Sequence, residues 1–277
     1  MVTVTPLSGA LGARVEGLDI AAGLSAAQAG VVRDALARHS VLHLPGQHVS
    51  DAAQIAFSEV FGPLEATRAG ADGAGSKLIV LTNVGPDGAI AAPTARQVLN
   101  NRANQAWHHD SSFKPVPAKV SVLSAREIPS QGGNTEFAGM RAAYAALADD
   151  VRARLLGMVA VHDFAWSRRR VDPVLVTEAE AAEHPPVRQP VVRAENPHGS
   201  ALYLGAHARS IEGMDDGAAR ALIDQLMAHA THPAFTYSHA WAPGDVLVWD
   251  NRAVAHRATP FAASGERRRM VRTTVAG

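Results

Sequence analysis

The 277-residue chain has no cysteine. That excludes a disulfide framework, a zinc–thiolate site, an iron–sulfur cluster and a thiol nucleophile. Neither sign of charge is in excess, since 26 basic residues face 26 acidic ones. Nucleic-acid binders usually carry a basic surplus, so no nucleic-acid partner is expected, although Arg168-Arg169-Arg170 and Arg267-Arg268-Arg269 form local basic clusters. No apolar run approaches the roughly 20 residues that span a bilayer. The opening Met1-Val2-Thr3-Val4-Thr5-Pro6 lacks the basic-then-apolar order of a secretory signal. A cytoplasmic location with no membrane partner is the expectation. There is also no Gly-x-Ser-x-Gly elbow, which argues against a hydrolase built on Ser, His and Asp.

What is present is an ordinary globular mixture, 47% hydrophobic and 19% charged, long enough for a large core. Ser25 and Ser50 are placed to cap helices running to about His39 and to Gly62-Pro63, with Val31, Val32 and Leu36 on the inward face of the first. Short β-runs are expected near 13–17, 40–44, 78–81, 118–123, 135–138, 202–204, 235–239, 246–249, 254–257 and 268–275. Ala-rich helices are expected over 141–156 and 215–229. The stretches 85–104 and 165–200 read as loops. The second, with Pro173, Pro185-Pro186 and Asn196-Pro197-His198-Gly199, reads as a lid-like insertion. The pattern is mainly β with flanking helices, a sandwich or barrel with helices outside, in one domain over 1–277.

One short segment carries chemistry. In Trp107-His108-His109-Asp110, His108 and Asp110 are two apart, so on an extended strand both point the same way while His109 points elsewhere. Iron(II) in an oxygenase favours two imidazoles and one carboxylate on one face, leaving the other face open. His256, after the apolar run bracketed by Gly244-Asp245 and Asp250-Asn251, is the best third ligand. With 13 histidines, such a set also arises by chance. Spacing alone leaves a metal site and ordinary buried histidines both open. At the C-terminus, Arg268, Met270, Arg272 and Thr274 share one face of the last strand, which a short turn would bring beside the His256 strand. Arg268 suits a carboxylate; a solvated basic edge strand is the competing reading.

Taken in order, several segments resemble the taurine dioxygenase / 2,4-dichlorophenoxyacetate dioxygenase family. They are Gly12 to Asp19, Val41 to Gln47, Phe61 to Glu65, Trp107-His108-His109-Asp110, Gly132-Gly133-Asn134-Thr135, Trp249-Asp250-Asn251-Arg252 with His256, and Arg268 to Thr274. The resemblance implies a double-stranded β-helix, the jelly-roll, with Fe(II) held by His108, Asp110 and His256. It implies 2-oxoglutarate as co-substrate beside O2, with Thr135 and Arg268 on its distal carboxylate and Arg272 near the co-substrate or substrate carboxylate. Arg267 is the alternative to Arg268. Asn104 matches a substrate-touching position. Keeping Asp110, which halogenating relatives replace, implies hydroxylation. A homo-oligomer, dimer or tetramer, is also implied.

For substrate, Leu204-Gly205-Ala206-His207-Ala208 and Ile211-Glu212-Gly213-Met214 resemble the aryloxyalkanoate branch more than the taurine branch. His207 is therefore a candidate pocket residue or, equally, a structural histidine. The expected activity is hydroxylation of a small organic acid of aryloxyalkanoate type, with the ether bond breaking once its carbon is hydroxylated. The same chemistry on a sulfonate or another small carboxylate is the alternative. From another class, a non-catalytic metal-binding jelly-roll also remains open.

Overall fold

The computed structural model describes residues 1–7, 11–67, 76–195, 198–261 and 265–277. The serine caps act where expected. Ser25 and Gln28 exchange bonds in a capping box that opens α1 (Ala26–His39), and Ser50 accepts from the Ala53 amide to open α2 (Asp51–Glu59). The inward face of α1 is Ala29, Val32, Ala35 and Leu36, whereas Val31 is exposed.

In chain order, β1 (Thr3–Pro6), β2 (Ala13–Glu16) and β3 (Val41–Leu44) surround α1, and β4 (Ile79–Thr82) follows α2. The stretch 85–104, expected as loop, contains α3 (Arg96–Ala103). Its N-cap is Ala95, which makes no side-chain bond, so the usual start signal is missing. After β5 (Ala118–Glu127) and β6 (Thr135–Gly139), the helix expected over 141–156 is two: α4 (Met140–Ala145) and α5 (Asp149–Leu155). Ala148 is extended, and Asp149 and Asp150 favour a fresh N-terminus there.

The stretch 165–200 is likewise not structureless. After β7 (Val159–His162) come α6 (Phe164–Arg169), a 3-10 turn at Pro173–Leu175, α7 (Glu178–Glu183), β8 (Val187–Pro190) and β9 (Val192–Arg193). Helices this short show too few turns for their period to be read. Asn196 and Pro197 lie outside the described residues. The chain continues through β10 (Ala201–Leu202), β11 (Ala208–Ile211), α8 (Asp216–Ala230), β12 (Thr236–His239), β13 (Val246–Asp250), β14 (Val254–Ala258) and β15 (Arg269–Ala276).

Two sheets frame the site. The larger runs β1-β2-β3-β13-β5-β15-β4, antiparallel except for β2 with β3, and the smaller runs β12-β6-β14. Between them pack Leu123, Leu247, Trp249 and Met270 from one sheet and Phe137 and Val254 from the other. The outer face of the large sheet, including Val122, Val248 and Val275, is covered by Val32, Leu36 and Phe57 of α1 and α2. The outer face of the small sheet is covered by α4 and α8. Burial on both faces explains why β13 reads as a continuous apolar run. The arrangement is a double-stranded β-helix.

Two expectations are corrected by this topology. The last strand is not a solvated edge, because β15 lies between β5 and β4. Nor does it neighbour the His256 strand: β14 pairs with β6 in the small sheet, and the chain changes sheets between β14 and β15. Among the described residues, no helix is long and apolar enough to cross a membrane.

Candidate metal centre and its cavities

His108 joins His256 through an isolated bridge, with His108 N to His256 O at 3.0 Å and His256 N to His108 O at 2.9 Å. This short extended piece supplies the two-residue alternation. Asp110 returns to the same side, while His109 points away, its Nδ1 2.7 Å from Asn251 O and its Nε2 3.0 Å from Leu204 O. Ser111, at φ 54°, then turns the chain out of the site. Gly205 lets a neighbouring segment pass: a Cβ there would lie 2.8 Å from Trp107 O and 3.2 Å from His108 Cα.

The three expected ligands therefore converge, with ligand atoms all within 4.8 Å of one another. His108 Nε2 is 3.9 Å from Asp110 Oδ1, and His256 Nε2 is 3.7 Å from Asp110 Oδ2. These separations are too long for hydrogen bonds, so the atoms face one another without satisfying one another. The donor set fits iron(II). His108 Nδ1 lies 2.8 Å from Ala106 O, and a carbonyl only accepts, so the proton sits on Nδ1 and Nε2 offers a lone pair. Burial lowers the pKa of His108 and that of His256, which favours the neutral ligand form. Burial alone would raise the Asp110 carboxyl, but Arg272, His256, His108 and Ser121 outweigh it and hold it well below the usual carboxylate range.

A hydrogen-bonded frame aims the carboxylate. Ser121 Oγ donates to Asp110 Oδ2 at 2.7 Å, and Asn251 Nδ2 donates to Ser121 Oγ at 2.9 Å. Asn251 Oδ1 accepts from Trp249 Nε1 at 3.0 Å and from the Asp110 amide at 3.2 Å. Sequence reasoning gave Ser121 and Asn251 no role. Asn251 stood inside a quoted motif; Ser121 carried no signal beyond its place in β5. Arg272 Nη1 contacts Asp110 Oδ1 directly.

Two cavities open at this centre. The narrower is lined by Leu123, Thr135, Trp249 and Arg268 together with both histidines. Arg268 is 8% exposed and has no acidic partner among the described residues; its Nη2 donates to Gly133 O at 3.1 Å. Burial pulls its pKa down to about 10. A buried cation without a counter-charge is costly, and an anion in the cavity would offset that cost. Gly133, at φ 66°, lets Arg268 pack this closely, since a Cβ would lie 3.0 Å from Arg268 Nε. Arg267, by contrast, is exposed and pairs with Glu127 at 2.6 Å. Thr135 Oγ1 accepts from Trp241 Nε1 at 3.1 Å, which leaves its own hydroxyl hydrogen to donate elsewhere. Trp241 was not foreseen.

The wider cavity, about 340 Å³, is lined by Asn104, Phe113, Phe164, Arg168, His207 and Arg272, among others. Asn104 caps the end of α3 and holds its Oδ1 3.4 Å from both terminal nitrogens of Arg168. His207 is fixed by Ser167 Oγ, 2.7 Å from its Nδ1, and packs against Phe113 with ring centroids 4.9 Å apart. Trp107, beside His108 in sequence, lies under Arg257, 4.7 Å from ring centroid to guanidinium.

Comparison with known proteins decides the family. The model of the taurine catabolism dioxygenase TauD, TfdA family matches residues 3–274. The chain belongs to that family. It is 38% identical over 280 residues to the alpha-ketoglutarate-dependent 2,4-dichlorophenoxyacetate dioxygenase of Cupriavidus pinatubonensis, covering 99% of this chain and 98% of that one. It is 35% identical over 289 residues to the (S)-phenoxypropionate/alpha-ketoglutarate-dioxygenase of Sphingobium herbicidovorans, covering 99% and 94%. The crystal structure of AAD-2 in complex with Mn(II) and N-oxalylglycine superposes with a TM-score of 0.92 at 38% identity, covering 100% of this chain and 97% of that one. As a family member the chain is an Fe(II)- and 2-oxoglutarate-dependent dioxygenase that uses O2. The non-catalytic jelly-roll alternative is set aside on that ground.

Proposed function

We propose that this enzyme hydroxylates a small organic acid of aryloxyalkanoate type. The observation that carries the reading is the make-up of the wider cavity. Lys77, Arg96, Lys114, Arg168 and Arg272 line its walls, with Lys77 paired to Glu59, Arg96 to Glu180, Lys114 to Glu65 and Arg272 to Asp110, and Phe113 and Phe164 supply aromatic surface beside the His108–Asp110 face. Such a site takes a ligand with an anionic end and a flat apolar end. The apolar wall favours an aryl acid over a compact sulfonate such as taurine. The two relatives named for 2,4-dichlorophenoxyacetate and (S)-phenoxypropionate support the same class.

His108, Asp110 and His256 would hold the iron. Bound iron, with 2-oxoglutarate and O2, supplies the oxidising chemistry and yields succinate and CO2. Arg268 and Thr135 would bind the distal carboxylate of 2-oxoglutarate, the first by charge and the second by its free hydroxyl hydrogen. Arg272, which contacts Asp110 Oδ1, would lie near the co-substrate or substrate carboxylate. Asn104, Arg168 and His207 would orient the organic acid. Residues 165–195 would cover it: α6 brings Phe164 and Arg168 into the wall, and Phe164, Ala165, Leu175 and Val176 pack on Leu99 and Ala103 of α3. Hydroxylation at a carbon bearing the ether oxygen would give a product that cleaves unaided.

The test follows succinate release from 2-oxoglutarate with Fe(II). Aryloxyacetates should stimulate it well above taurine, and His108→Ala should reduce it to background. Stimulation by taurine alone would refute the substrate class.

A further inference from the structure

A second His–Asp–His cluster lies apart from the metal centre. His43 comes from β3, His239 from the end of β12 and Asp245 from the turn that opens β13. Their ligand atoms also lie within 4.8 Å of one another. The two clusters are built alike. The imidazole centroids of His43 and His239 are 4.5 Å apart, against 4.2 Å for His108 and His256. In each, one carboxylate presents one oxygen to each imidazole Nε2: His43 Nε2 is 3.1 Å from Asp245 Oδ1, and His239 Nε2 is 3.0 Å from Asp245 Oδ2.

Hydrogen bonding accounts for only part of this cluster. Asp245 Oδ2 accepts from the Ala242 amide at 3.0 Å, and His239 Nδ1 is held by Tyr237 OH at 3.0 Å. His43 Nε2 faces Asp245 Oδ1 at 3.1 Å, an ion-pair contact that falls short of a full hydrogen bond. His43 is only 9% exposed, so a buried nitrogen aimed into the cluster has this one imperfect contact. Such an atom is expensive unless something occupies the position it faces.

We propose that His43, His239 and Asp245 bind a second divalent metal ion, zinc by ligand type, with solvent completing its coordination. The charge states suit this. Burial lowers the pKa of His239 and favours the neutral ring. Burial alone would raise the Asp245 carboxyl, but His239, His43 and the Ala242 amide hold it well below the usual range. The nearby Arg14 is paired with Glu16 at 2.9 Å. The ion is structural. It ties β3 and β13 of the large sheet to β12 of the small one, and clamps the turn that carries Trp241 between His239 and Asp245.

The test uses the full chain stripped by chelator, reloaded with zinc and gel-filtered before metal analysis. Wild type should retain two zinc ions per chain and the His108→Ala/His256→Ala variant one. Adding His43→Gln to that variant should remove the last, and with it the rise in Tm that zinc gives. His43→Gln alone should keep its Fe(II)-dependent turnover of 2-oxoglutarate, which shows that it is folded. His239→Gln, measured in parallel, serves if His43→Gln does not fold. The proposal is overturned if His108→Ala/His256→Ala retains no zinc, or retains it after either substitution.

Discussion

The two cavities share Leu81, Thr82, Asn101, Asn104, His108 and Arg272 but differ in the rest of their walls. The narrower is walled by strands: Leu123 on β5, Thr135 on β6, Trp249 on β13 and His256 on β14, with Arg268 at the entrance to β15. The wider keeps β4 (Ile79–Thr82) and Arg272 and Thr274 of β15 in its wall, and adds connections and short helices: Phe113 in a turn, Phe164 and Arg168 on α6, and His184 after α7. Strands packed on both faces fix side chains to the sheet's geometry, whereas connections can change without disturbing the core. On the proposed reading, the co-substrate would take the strand-built wall and the substrate the more replaceable one.

Substitutions should separate the two walls. The largest effect is expected for Arg268→Gln, which removes a charged hydrogen-bond donor worth about 1.5–3 kcal/mol. The KM for 2-oxoglutarate should rise about 10- to 100-fold while the KM for the organic acid stays near wild type. Equal rises in both, measured by initial rates of succinate formation, would break the distinction. Arg168→Gln should do the reverse, raising the organic-acid KM about five- to tenfold as one charge-assisted contact at a partly exposed site is lost. Turnover of 2-oxoglutarate without substrate should be unaffected.

A smaller effect concerns acid stability. His162 on β7 is 1% exposed and stacks on Tyr203 with ring planes 12° apart. Burial, assisted by His109 and Arg193, lowers its pKa to about 3. Between the ordinary value near 6.5 and about 3, the unfolded chain takes up a proton that the folded one refuses. The stability is therefore complete above that window and lost as pH falls through it. His162→Phe, which keeps the stacking, should lower the loss of Tm between pH 6.5 and pH 4. An unchanged acid limb would show that His162 is not the group responsible.

The same contrast governs what could be read from the sequence. His108 and Asp110 were legible because a two-residue spacing on extended chain is a local property. His256, Thr135 and Arg268 were legible through the family motifs on the strands that carry them. The wider wall was mostly not. The helix α3 starts without a side-chain cap, and α6 and α7 have six residues each, too few to show a period. Ser121, which steadies Asp110, and Trp241, which turns the Thr135 hydroxyl, act across 11 and 106 residues of chain, respectively. Nothing near either in sequence announces the bond. His43, His239 and Asp245 were lost among the other histidines and acids for the same reason.

The direct test of the central claim is anaerobic titration of the Fe(II)-loaded protein with 2-oxoglutarate, followed by the visible charge-transfer absorption of the chelate. Wild type should develop this absorption with one iron per chain at the His108–Asp110–His256 centre, and His256→Ala should develop none. Wild-type absorption in His256→Ala would contradict the account.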